Sequence, residues 1–133
     1  MKWLDVKRKL STEDLISVEK EFKITLPEDF KEKIKDINGG ALSSAYILVN
    51  DIGRICYSRN VPLDKETRGN IYDIGKYVMN DGSALFPIAS DDFGNYFCFD
   101  LKDSTVIFLD HETDKKLYIC DTFTELLTLI QTN

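Results

Sequence analysis

Leu85-Phe86-Pro87-Ile88-Ala89-Ser90-Asp91-Asp92-Phe93-Gly94-Asn95-Tyr96-Phe97-Cys98-Phe99-Asp100 is the stretch whose reading decides the fold. Residues 85–89 and 96–101 are short runs of aromatic and aliphatic side chains, too short for a stable helix and suited to a pleated surface. Between them, Asp91 to Asn95 supplies Asp, Gly and Asn. These residues bond their own backbone and tolerate positive φ, so the segment predicts two antiparallel strands joined by a turn. In the second strand Phe97, Phe99 and Leu101 alternate with Tyr96, Cys98 and Asp100, which predicts one face on the core and an opposite face less buried.

Working outward, residues 105–109 and 116–120 repeat the strand chemistry, each bounded by Asp, Asn, Gly or Ser, so a four-strand antiparallel meander is expected. The chain then closes with Thr122-Phe123-Thr124-Glu125, a capping box, and Leu126, Leu127 and Ile130 on one helical face. Upstream, Tyr46 to Val49 and Arg54 to Tyr57 flank the turn-like Asn50-Asp51-Ile52-Gly53 and predict a hairpin. Between hairpin and meander, the segment Asp64 to Met79 is read as a short helix on the spacing of Ile71, Ile74 and Val78, which Gly69 and Gly75 weaken.

Two helices precede all of this. Ser11 or Thr12 caps the first, whose Leu15, Val18 and Phe22 recur at helical spacing. Pro27 opens the second at its first helical position, Phe30, Ile34 and Ile37 form its stripe, and Asn38-Gly39-Gly40 ends it. The pattern is α+β: a central antiparallel β-sheet flanked by N-terminal and C-terminal helices, within a single domain over residues 1–133.

A chain of 133 residues with 43% hydrophobic and 30% charged residues has material for one core and is too apolar to stay disordered. Charges recur through Met1 to Lys9, which argues against a secretory signal. The longest apolar runs fall far below the roughly 20 residues needed to cross a bilayer. Cys56, Cys98 and Cys120 are odd in number and widely spaced, so reduced thiols in a cytoplasmic protein are expected.

The net charge of −6 is unevenly placed. Residues 1–90 hold 14 acids and 14 bases, and residues 91–133 hold 9 acids and 3 bases. An acidic third disfavours nucleic acid as a partner and suits a basic protein surface. Simple solubility is the competing reading of the same charges.

Catalytic motifs are missing. The one histidine, His111, lies in Asp110-His111-Glu112-Thr113-Asp114, and Lys115 stands where a zinc-binding His-Glu-x-x-His motif needs its second histidine. This segment reads as an acidic hairpin turn. Asp91 to Asn95 lacks the ligand spacing of an EF-hand loop. No phosphate-binding glycine loop or nucleophile elbow occurs. Neither an enzyme, a metal site nor a cofactor is expected.

The landmarks, in order, resemble the SUKH superfamily of Smi/Knr-like proteins. They are Glu19 and Phe22 on the first helix, Leu26-Pro27-Glu28-Asp29-Phe30, Asn38-Gly39-Gly40, Leu85 through Asp100, Val106 to Glu112, and Phe123 to Leu127. Each piece alone is common helix or turn punctuation, and the order and spacing are the specific part. Residues 42–83 match only loosely. The resemblance implies an α+β fold with a central antiparallel sheet. It also implies a role without catalytic residues: an immunity protein that binds a cognate toxin domain, often a nuclease, or a regulatory or scaffold module of the yeast Smi/Knr type. For the toxin-binding role, partner contacts are expected at Asp91, Asp92, Asp110, Glu112 and Asp114, on turns projecting from the sheet.

Overall fold

Ser11 sets the start of α1 (Thr12–Phe22). Its hydroxyl accepts from the Asp14 N–H at 3.1 Å, and the Asp14 carboxylate accepts from the Ser11 N–H at 2.7 Å. This reciprocal box satisfies donors that a helix start leaves free. Arg8 reaches the same carboxylate at 2.8 Å. α1 buries Leu15 and Val18, and α2 (Glu28–Ile37) buries Phe30 and Ile34. Pro27 stands one position outside α2, as its N-cap, instead of at the first helical position. Its fixed φ sets the entry angle from there.

The structure, a computed structural model, describes residues 1–79 and 84–133. The end of the loosely matching 42–83 segment therefore lies outside the described residues. After α2 come β1 (Ala45–Val49), β2 (Gly53–Cys56), β3 (Arg59–Asn60), α3 (Ile71–Val78), β4 (Leu85–Ser90), β5 (Tyr96–Asp100), β6 (Thr105–Leu109), β7 (Lys116–Cys120), α4 (Phe123–Leu129) and β8 (Gln131–Thr132). The fold is α+β with antiparallel pairing, divided between two sheets ordered β3-β4-β5-β6-β7 and β2-β1-β8. The hairpin thus belongs to a smaller sheet completed by the chain's last strand.

Three further details depart from the sequence reading. Residues 64–70 stay outside α3, because the Asn70 side chain accepts from the Tyr72 and Asp73 N–H groups and starts the helix there. Gly75, a cost to helix propensity, is a packing requirement: a Cβ there would lie 2.8 Å from the Phe22 ring of α1. The less buried face expected for β5 is also covered at its centre. Cys98 is fully buried in a second small cluster with Leu85 and Ile107, against which Val78, Tyr96 and Leu109 pack.

Pro87 sits inside β4 because the ladder shifts register between Pro87 and Ala89, where a missing N–H is tolerated. The main core gathers buried residues from Leu10 to Leu126, with Phe30 edge-on to Phe99 and Phe123. A buried polar knot sits beside it. Asn38 donates to Arg8 O at 2.9 Å and to the Asp64 carboxylate at 2.8 Å, and accepts from Leu63 N–H at 2.9 Å.

Two stability experiments follow from these contacts. Asn38→Ala strands the buried Leu63 N–H and Asp64 carboxylate along with the Arg8 carbonyl and is expected to cost about 3 kcal/mol in urea unfolding. The hydrogen bond from Arg8 and that from the Ser11 N–H hold the Asp14 carboxyl down to about 2, below its ordinary 3.8. The stabilisation is therefore complete above the ordinary value and fades as pH falls toward the folded one. Asp14→Asn should cost about 1 kcal/mol at neutral pH, and its difference from wild type should shrink on acidification below pH ~4.

Candidate partner-binding site

In the meander β4 and β6 run the same way, each antiparallel to β5, so the turns that follow them emerge at one end of the sheet. Asp91 and Asp92 lie on the first turn, and Asp110, Glu112 and Asp114 on the second. The two turns touch. Asn95 Oδ1 accepts from the His111 N–H at 3.0 Å. Gly94, at φ +89, has no Cβ and so leaves the His111 ring room; a Cβ there would stand 3.4 Å from His111 Nε2. The structure thus brings all five sequence-predicted acids to one end of the sheet.

Their environments differ. Asp91 is only 9% exposed. Its carboxylate accepts from the N–H of Phe93 at 2.8 Å, the N–H of Asn95 at 2.9 Å and Asn95 Nδ2 at 2.8 Å. It organises the turn from within. Asp92 is exposed and accepts from Cys56 Sγ at 3.3 Å. Burial, with the Asp92 bond, pushes the Cys56 thiol up to about 11, so it stays protonated and unreactive at neutral pH. Asp110 is partly exposed and accepts from the Glu112 N–H at 2.9 Å, while Glu112 and Asp114 are open to solvent. Asp114 takes φ 59, which the tight return toward β7 requires.

Charge compensation separates this end from the rest of the molecule. Every ion pair among the described residues lies between Asp5 and Glu66, and none involves the five turn acids. Asp92, Asp110, Glu112 and Asp114 leave their charge toward solvent, with Lys115 and Lys116 nearby in sequence. Beside the second turn, a cavity of about 330 Å³ opens between the end of α3 and the outer face of the large sheet. It is lined by Tyr77, Val78, Leu85, Tyr96, Leu109, His111, Asp114 and Lys116. Tyr77 and Phe93 are 79% and 73% exposed. Sequence reasoning passed over both aromatics; an aromatic in the polar turn Asp91 to Asn95 was a readable signal for Phe93, and Tyr77 had none.

No group of three or more His, Cys, Asp or Glu residues able to hold a metal occurs among the described residues. The described hydrogen bonds use the backbone of His111 and leave its ring out. A depression of about 560 Å³ near Lys23, Pro27, Leu101 and Ser104 lies by the β5–β6 turn, at the opposite end of the sheet from the acidic turns, and gathers no cluster of titratable groups. No helix among the described residues is long and apolar enough to cross a membrane.

Helices at both ends of the chain around antiparallel sheets, with paired acidic turns at one sheet end, define the class as an α+β domain with an exposed anionic end. The chain belongs to the SUKH family: the family model described as SMI1-KNR4 cell-wall matches residues 12–127. Members of this family are generally non-catalytic. No curated protein matches the chain.

The inward and outward acids should separate in stability measurements. Asp91→Ala frees two backbone N–H groups and is expected to cost about 2 kcal/mol. Asp92→Ala and Glu112→Ala should stay within about 0.5 kcal/mol of wild type in urea titrations.

Proposed function

We propose that this protein is a cytoplasmic, non-catalytic immunity protein that binds and neutralises a cognate bacterial toxin domain through the acidic end of its large sheet. The observation that carries this reading is the placement of five carboxylates on two touching turns, none of them in an ion pair among the described residues. Surface charges without an ion-pair partner act over a distance on a partner of opposite sign. A nuclease domain must keep a basic groove for phosphates, so it is the toxin type best matched to this end. Asp92, Asp110, Glu112 and Asp114 face that partner, and Asp91 holds the turn that presents them.

The family description favours one second reading, a regulatory or scaffold module of the Smi/Knr type that binds cellular proteins. The two readings differ in partner and share the absence of chemistry. Co-expression with the C-terminal domain of a toxin encoded beside this gene, followed by co-purification and survival assays, distinguishes them.

Charge reversal tests the interface itself. A combined Asp92→Lys, Glu112→Lys and Asp114→Lys variant is expected to slow association with the toxin domain at least about tenfold at low salt, with dissociation changed less. The salt dependence of association should flatten as well. Unchanged association across salt would remove the acidic end from the interface.

A further inference from the structure

We propose that the cavity between the end of α3 and the outer face of the large sheet receives an apolar side chain, aromatic or long aliphatic, projecting from a basic segment of the partner protein. This rests on the partner-binding reading and specifies where affinity, as distinct from encounter rate, is generated.

The walls are set by register. Tyr96 and Leu109 stand opposite each other on β5 and β6, and Leu109 stands opposite Lys116 on β7. Tyr77 and Val78 close the other side from α3, and Leu85 ties the groove to the second apolar cluster. A volume of about 330 Å³ admits one large side chain with its flanking backbone. Single exposed apolar residues are ordinary on protein surfaces. Here, however, a 79% exposed Tyr77 borders a cavity with an apolar wall, and a 73% exposed Phe93 sits on the neighbouring acidic turn. Binding energy concentrates in pockets that desolvate one aromatic or aliphatic anchor, with polar contacts around the rim.

The rim chooses the occupant. His111, Asp114 and Lys116 line the cavity, and the adjoining turns add Asp92, Asp110 and Glu112. The carboxylates of the two turns outnumber Lys115 and Lys116. An anchor flanked by Lys or Arg is therefore drawn in, and one flanked by Asp or Glu is repelled. A second copy of this chain would set one acidic rim against another, so the charge favours a basic partner over self-association.

Capped pentapeptides probe the groove without any toxin. Titrating ¹⁵N-labelled protein with Lys-Lys-Phe-Lys-Lys is expected to move the amide resonances of Tyr77, Tyr96, Leu109, His111 and Lys116. Lys-Lys-Ala-Lys-Lys should bind at least about fivefold more weakly, and Glu-Glu-Phe-Glu-Glu should leave these resonances in place. Tyr77→Ala alters an exposed side chain, so its melting temperature should match wild type while the Phe peptide weakens about fivefold. Equal binding of the Phe and Ala peptides, or shifts confined to other surfaces at millimolar peptide, would overturn the proposal. So would a dimer in light scattering that Tyr77→Ala dissolves, which would assign the groove to a second copy.

With the toxin domain in hand, Tyr77→Ala should raise its dissociation rate and leave association unchanged. A toxin domain held equally well by both proteins would remove the groove and leave the immunity reading standing. Peptide binding at the groove without toxin binding would do the reverse.

Discussion

Phe30 holds the architecture together. Its ring meets Phe99 at 5.1 Å and Phe123 at 4.9 Å between centroids, both edge-on, so α2, the inner face of the large sheet and α4 share one contact. Edge-to-face pairs contribute about 1 kcal/mol each beyond the area they bury, and all three rings are fully buried. The preceding residue reinforces the joint. Asp29 accepts from Thr124 N–H at 2.9 Å and from Thr124 Oγ1 at 2.8 Å, so an acid of α2 satisfies a donor at the start of α4. With α4 placed, Gln131 and Thr132 reach Tyr46 and Ala45, and the small sheet gains its third strand.

Around this apolar joint, buried asparagines tie together segments that form few regular hydrogen bonds. Asn38 joins the N-terminal arm to residues 63 and 64, and Asn60 donates to Ile37 O while accepting from the Tyr57 hydroxyl. Asn38 closes α2 and Asn60 reaches its end from β3, where helix carbonyls and loop N–H groups would otherwise be buried without partners. Thr67 completes the knot from its far side by donating to Asp64. Burial raises the Asp64 pKa, but the bonds from Thr67 and Asn38 outweigh it and hold the carboxyl below its usual range.

The same contrast between satisfied and unsatisfied polar groups separates scaffold from surface. Ion pairs gather in the N-terminal half, where they join the arm and the first two helices to their neighbours. At the end of the large sheet Asp91 spends its oxygens on the turn, and its neighbours keep their charge for solvent. Turns whose backbone N–H groups are already hydrogen-bonded lose little backbone freedom when a partner docks. The adjoining apolar groove can then add contacts that the charges alone do not provide.

Local chemistry in the sequence sufficed for much of this. The capping residues, the turn residues of Asp91 to Asn95 and Asp110 to Asp114, and the apolar periodicities place both N-terminal helices, the hairpin, four strands and the C-terminal helix close to where they occur. The ordered motifs also identify the family. These features are legible because a cap, a turn or an amphipathic face depends on residues within a few positions of one another. Contacts between residues distant in the chain had no such signature. The start of α3 rests on Asn70, the need for Gly75 on Phe22 of another helix, and the small sheet on a strand after α4 that only two residues form. The functional end shows the same division. Five acids could be named from the sequence, but their meeting through Asn95 and His111, the inward turn of Asp91 and the groove beside Tyr77 arise only when antiparallel pairing brings β4 and β6 to the same end.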